Sequence, residues 1–288
     1  MGDPVAYTCP HVTFVDMVAR IAKLGLALLS FAALAAPSVA SAGPLNGRDV
    51  MQKNEEARRT REMLAGSTLT IGQPGEDSKV KSFTMWRKLA ADGIHSRSLT
   101  RFATPAEVRG EAILFEENAN GENDVQLYLP RFKKVRRVEA QSQSSSFMGS
   151  AFSYSDMTSS QTDDYKHTLL RSEPCPNDTK VSCYVVESIA QADGAKERTS
   201  YSKSVGWIRS DNFLLAQGEC YDKGGALWKR VVASDIHEID PAAHKFMAHT
   251  VRVDDLKSKR FSILTFRDVK TNAGIPDSTF TPQNLSRE

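Results

Sequence analysis

The chain has 288 residues, with 37 Lys and Arg against 35 Asp and Glu and a formal net charge of +2. That near balance excludes a protein organised around a nucleic-acid backbone, which needs a concentrated basic face. Its length suits one large β domain or two smaller ones, and no Pro/Gly/Ser-rich linker divides it, so one domain is expected.

The first stretch reads as a targeting segment. Arg20 and Lys23 precede the apolar run Leu24 to Ala36, and Ala40-Ser41-Ala42 supplies small residues at a cleavage position. That is the layout of a secretory signal peptide, and the run falls short of the ~20 residues a membrane span needs. Residues 1–16 precede it unusually, so Met17 is the expected start and residues 1–42 the segment removed. Asp3 and Asp16 leave with Arg20 and Lys23, so the charge of residues 43–288 is unchanged. No cysteine follows the cleavage position, so no lipid-attachment box is read.

Asn46 to Leu64 is the one long helix expected. Asn46 suits an N-cap, Asp49 suits the first turn, and Val50, Met51, Ala57 and Leu64 form an apolar stripe that Gly66 ends. From Ser67 the chain reads as short strands and turns. Phe83 to Leu89, His95 to Phe102, Ala112 to Glu117 and Val125 to Leu129 are separated by turn-forming residues such as Asp92-Gly93 and Thr104-Pro105. Tyr165 to Leu170, Val181 to Ser188, Thr199 to Arg209, Leu214 to Tyr221, Leu227 to Ile239, Lys245 to Val253 and Phe261 to Val269 continue the pattern. Such spacing predicts an antiparallel meander. Asp222-Lys223-Gly224-Gly225 is its clearest hairpin turn. In Tyr201 to Trp207 one face carries Tyr, Lys, Val and Trp; the other is Ser202, Ser204 and Gly206, nearly bare. Periodicity alone reaches a large antiparallel sheet.

Between the two runs of strands lies a different stretch. Pro130 and Arg131 turn the chain, and Arg131 to Arg137 alternates basic and aliphatic residues, a solvated face or one that meets acidic groups or lipid head groups. The polar run Gln141 to Ser146 follows. Phe147, Met148, Gly149, Phe152 and Tyr154 then form an apolar cluster closed by Ser155-Asp156. From the residues alone this is a loop that plugs its own core.

Cys175 and Cys183 flank the turn residues Pro176 to Thr179 between two strands, so a disulfide there is expected in a secreted chain. Cys220 is then left over as a buried thiol. Metal binding by the cysteines fails on spacing, with no CxxC and no suitably placed His.

No catalytic constellation survives inspection. Ser200 to Lys203 fits SxxK and Ser210-Asp211-Asn212 spells SDN, but on a strand residues three apart face opposite ways. His237-Glu238 lacks the second His of HExxH, and His244 and His249 are expected on opposite faces. Glu116-Glu117 and Asp163-Asp164 read as solvated strand ends. An enzyme is not expected, nor is a cofactor.

The motifs resemble those of the outer membrane lipoprotein-sorting protein family, of the LolA/LolB-like superfamily. Leu127 to Pro130 with the basic strand after it, SFMGSxFSYxD from Ser146 to Asp156, Cys183 to Glu187, Tyr201-Ser202-Lys203 with Trp207-Ile208, Tyr221 to Gly225, and Asn272 to Asp277 with Phe280-Thr281 follow the family's order across Phe83 to Leu285. Ala151 departs from it, standing where the family commonly has an acidic residue. The resemblance implies a mainly β (α+β) fold, a strongly curved antiparallel half-barrel with an N-terminal helix and loop lid. It implies a periplasmic carrier of lipid or lipoprotein acyl chains, working with an RND-type inner-membrane transporter and an outer-membrane acceptor. Under it Phe147, Met148, Phe152 and Tyr154 become a gate, and Trp86, Leu127, Leu129, Trp207 and Trp228 become candidate cavity walls. The rival reading is a periplasmic envelope-stress sensor or scaffold that binds a protein with the same fold.

Overall fold

The computed structural model describes residues 44–118, 123–158 and 161–287; the expected targeting segment, residues 1–42 with Cys9, lies outside them. Helix α1, Gly47–Arg58, opens on a capping box: Asn46 Oδ1 accepts from Asp49 N at 3.0 Å, and Asp49 Oδ2 accepts from Asn46 N at 3.1 Å. It ends at Arg58, six residues short of the expected end. Beyond it Met63, Ala65, Leu69 and Ile71 alternate with Leu64, Thr68 and Thr70, and period two wins over the weak helical stripe. Glu62–Gly72 is therefore a strand, β1. Gly66 lies inside it, beside a register shift, rather than capping a helix.

Five more strands follow as an antiparallel meander: β2 Lys79–Leu89, β3 Ser96–Thr104, β4 Ala112–Glu116, β5 Asp124–Leu129 and β6 Lys134–Arg137. The second meander runs β7 Tyr165–Cys175, β8 Asp178–Ala190, β9 Tyr201–Arg209, β10 Leu215–Asp222, β11 Leu227–Asp240, β12 Lys245–Asp255 and β13 Arg260–Thr271. A short helix α2, Asp193–Arg198, and a single turn α3, Pro282–Leu285, complete the described elements. The strand order β6-β5-β4-β3-β2-β1-β13-β12-β11-β10-β9-β8-β7 joins the two meanders through β1 and β13. The sheet stays open, with β6 and β7 as its edges, as expected of a half-barrel and not of a closed barrel. Every residue of β6 is exposed, and Lys and Arg on an edge discourage pairing with another chain.

Both faces of this sheet are covered. On the inner face Met63, Leu69, Phe83, Met85, Phe102, Ile113, Phe115 and Val125 meet the loop after β6. On the outer face Leu99, Ala112, Leu114 and Tyr128 are closed by Ile275, Phe280 and Leu285 of the C-terminal segment. That segment is tied down where Lys88 Nζ donates to Ile275 O at 2.7 Å and Glu62 Oε2 accepts from Ile275 N at 3.0 Å. The Cys175 and Cys183 sulfurs are bonded, 2.05 Å apart, in a second outer cluster with Val185, Val205, Trp207 and Ala216. Closing this hairpin loop restricts the unfolded chain, a contribution of about 2.5 kcal/mol in the chain-entropy account. Val50 of α1 packs on Val186 and Ile208 of the opposite, inner face.

Candidate functional site

The inner face of the second meander is hollow at its centre. Strand register sets one row across it: Val253 opposes Val231, Val231 opposes Gly218, Gly218 opposes Gly206, and Gly206 opposes Val186. Two adjacent glycines leave no side chain in the middle of that row. Ser188, Ser204, Ile208, Leu215, Cys220 and Val251 extend the floor, Met51, Asn54 and Arg58 of α1 form one wall, and Phe152, Ser155 and Asp156 another. The cavity is partly open and measures about 390 Å³.

The loop that walls it is fastened at several points. Lys81 Nζ donates to Met148 O at 2.7 Å, and Ser262 Oγ accepts from Ala151 N at 2.9 Å. Met148 (φ 52°) and Gly149 (φ 80°) turn the chain back so that Phe147 N reaches Phe152 O at 2.8 Å. Asp156 accepts from Ser153 N at 2.8 Å and from Tyr201 Oη at 3.3 Å, and lies 3.6 Å from Lys229 Nζ. Lys229 is 5% exposed, its ammonium over the rings of Tyr201 and Trp228 at 5.3 and 5.0 Å. Burial, then the Asp156 charge, push the Tyr201 phenol well above its ordinary range. The same two causes push the Cys220 thiol up to about 12, which keeps it neutral and unreactive. His167 bonds Ser188 Oγ and Thr162 O at 2.7 and 3.0 Å, and burial lowers its pKa.

The nine candidate gate and wall residues divide. Phe147, Met148, Phe152, Tyr154 and Leu127 gather in the filled inner cluster of the first meander. Phe147 is 1% exposed, and its ring lies 6.3, 6.4 and 5.7 Å from those of Phe102, Phe115 and Tyr154. Phe152 alone of the nine also borders the cavity. Leu129 ends β5, half-buried, on the inner-facing register of Leu127. Trp86 pairs with Leu64 and packs against the outer cluster, and Trp207 belongs to the disulfide cluster, donating from Nε1 to Glu173 Oε1 at 2.6 Å. Both face outward, because alternation turns Phe83 and Met85 of β2, and Ser204 and Gly206 of β9, inward instead. Trp228 sits outside the cavity lining, at a hairpin end, bonded to Asp255. Arg58, Asp156, Lys229 and the two floor glycines were not singled out as site residues; the bare Ser202-Ser204-Gly206 face was the available signal.

Among the described residues, Asp235, His237 and His249 could hold a metal ion, with ligand atoms within 4.8 Å of one another. His237 Nε2 already pairs with Asp235 Oδ1 at 2.7 Å.

The likenesses to solved structures define a class. A DUF1329 family protein from Desulfovibrio piger shares 25% identity over 83% of this chain and 97% of its own, with a TM-score of 0.76. A putative outer membrane lipoprotein-sorting protein domain from Vibrio parahaemolyticus is 24% identical over 84% and 98%, also at 0.76. A LolA superfamily protein from Nitrosomonas europaea gives 21% identity over 84% and 100%, at 0.64. Residues 95–287, well over half the chain, match a family model described as an uncharacterized protein. The chain belongs to that family, and its fold is the one shared by outer membrane lipoprotein-sorting and LolA superfamily proteins. No curated protein sequence matches it.

Proposed function

We propose that this chain is a periplasmic carrier that holds an acyl chain of a lipoprotein or another membrane lipid and moves it toward the outer membrane. The observation that carries the reading is the hollow floor of Gly206 and Gly218, flanked by Val186, Val231, Val251 and Val253. Its volume lies within the ~300–1,000 Å³ typical of small-ligand sites. Each methylene taken from water into such a floor is worth ~0.8 kcal/mol, so binding needs no covalent chemistry. Release then requires displacement of the loop from Phe147 to Asp156, or transfer to an acceptor with a more favourable site.

On this reading residues 1–42 are removed at secretion and 43–288 act as one domain. No helix among the described residues is long and apolar enough to cross a membrane. The solved structures named for outer membrane lipoprotein sorting and for the LolA superfamily support the carrier class; the RND-type exporter as donor or acceptor rests on the family resemblance. The test is mass spectrometry of lipids extracted from protein purified gently from the periplasm. A near-stoichiometric lipid or acylated peptide is expected. Protein that emerges empty, and stays empty when offered membrane extract, overturns the carrier in favour of a scaffold.

A further inference from the structure

Resting on the carrier reading, we infer that Arg58 anchors a single acidic group, a carboxylate or a phosphate, on the lipid that occupies the cavity. Arg58 stands in the last turn of α1 and lines the cavity with Met51 and Asn54 of the same helix. Its side chain is accessible, and the space it reaches is the cavity. Among the described residues the guanidinium has no hydrogen-bond acceptor and no carboxylate at ion-pair distance. The other cations of the wall differ: Lys229 lies 3.6 Å from Asp156, Arg198 lies 3.6 Å from Asp164, and Lys203 lies 2.8 Å from Glu187.

The charges around Arg58 are unequal. Arg58, Arg59 and Arg87 face Glu55 and Glu117, three guanidiniums against two carboxylates. Glu55 is taken by Arg59 and by the Thr162 N–H and hydroxyl, at 3.1 and 2.5 Å. Glu117 accepts from Ser96 N at 2.8 Å. One positive charge is left over, on a side chain that is exposed toward the cavity. A monoanionic group arriving on an acyl chain supplies the missing charge, and the planar guanidinium suits carboxylate or phosphate oxygens in pairs.

The test is displacement of the uncharged fluorophore 1-aminoanthracene by palmitate, oleoyl lysophosphatidic acid, hexadecanol and monooleoylglycerol. Wild-type protein is expected to bind the acids at least about tenfold more tightly than the uncharged lipids, which is about 1.4 kcal/mol. Arg58→Gln is expected to erase that preference without changing the melting temperature; Arg58→Lys should restore part of it. The palmitate and lysophosphatidate arms separate a carboxylate from a phosphate as the preferred group. Binding of uncharged lipid with no preference for acids, or a preference that survives in Arg58→Gln, overturns the role of Arg58 and leaves the carrier intact. Failure of all four lipids to bind overturns both.

Discussion

The inner face of one sheet is treated in two ways. Across β1 to β5, Phe83, Met85, Phe102, Ile113 and Phe115 meet Phe147 of the loop and form a filled core. Across β8 to β12 the same alternation delivers Gly206, Gly218, Ser188 and Ser204, and a cavity remains. Strand geometry is common to both halves, so side-chain volume on one register decides whether the sheet has a core or a container. The loop from Phe147 to Asp156 belongs to both: its aromatic end fills the first half and its acidic end walls the second.

Substitutions that exchange these two conditions should be unequal in cost. The largest effect is expected for Phe147→Ala, which empties a 1%-exposed aromatic site and should cost about 3–5 kcal/mol, read from urea unfolding. Unchanged stability would show that the loop does not hold the first half together. Asp156→Asn removes the charge facing Lys229 and weakens the Tyr201 contact; a loss of about 1–3 kcal/mol is expected. A double-mutant cycle with Lys229→Met checks it: the pair should lose less than the two single losses combined, because the double variant leaves no unpaired buried charge.

The converse change is to fill the hollow. A Cβ at Gly218 would meet Leu215 and Val231 at 3.7 Å, ordinary contact distance, and valine favours strands. Gly218→Val should therefore change stability by less than about 1 kcal/mol while reducing lipid retained per protein, measured by extraction and mass spectrometry. The smallest effect concerns Cys220, whose pKa is raised to about 12. Its contribution to stability is complete below the unfolded thiol's pKa of about 8.5–9 and fades as pH climbs toward 12. Wild type should thus lose more stability than Cys220→Ser over that alkaline window. Native alkylation by N-ethylmaleimide at neutral pH should be slow and should speed up on unfolding.

The strands from β2 to β13 were legible because turn chemistry punctuates them and apolar residues recur at period two. The end of α1 was not: Leu64 fits both a helical stripe and a strand, and the pairing of β1 with both β2 and β13 decides for the strand. The direction of Trp86 and Trp207 was illegible for another reason. Large side chains are buried on both faces of the sheet, on one beneath Phe280 and Leu285 and within the disulfide cluster, on the other beneath α1 and the loop. Size therefore does not mark a face as inward. Arg58 carries no signal in the sequence because an arginine in the last turn of a helix is ordinary; only its position on the cavity wall distinguishes it.

The junction of β1 with β13 bears on how the chain is made. It pairs Leu69 with Leu264, residues from opposite ends of the domain, and such distant pairing is slow to form. A chain emerging N-terminus first must hold β1 without its second neighbour until Arg260–Thr271 arrives. Truncation before Arg260 would leave the β1 and β12 margins open to other chains. Under the export proposed for this chain, crossing unfolded and folding only when complete would suit a sheet that its last strand completes.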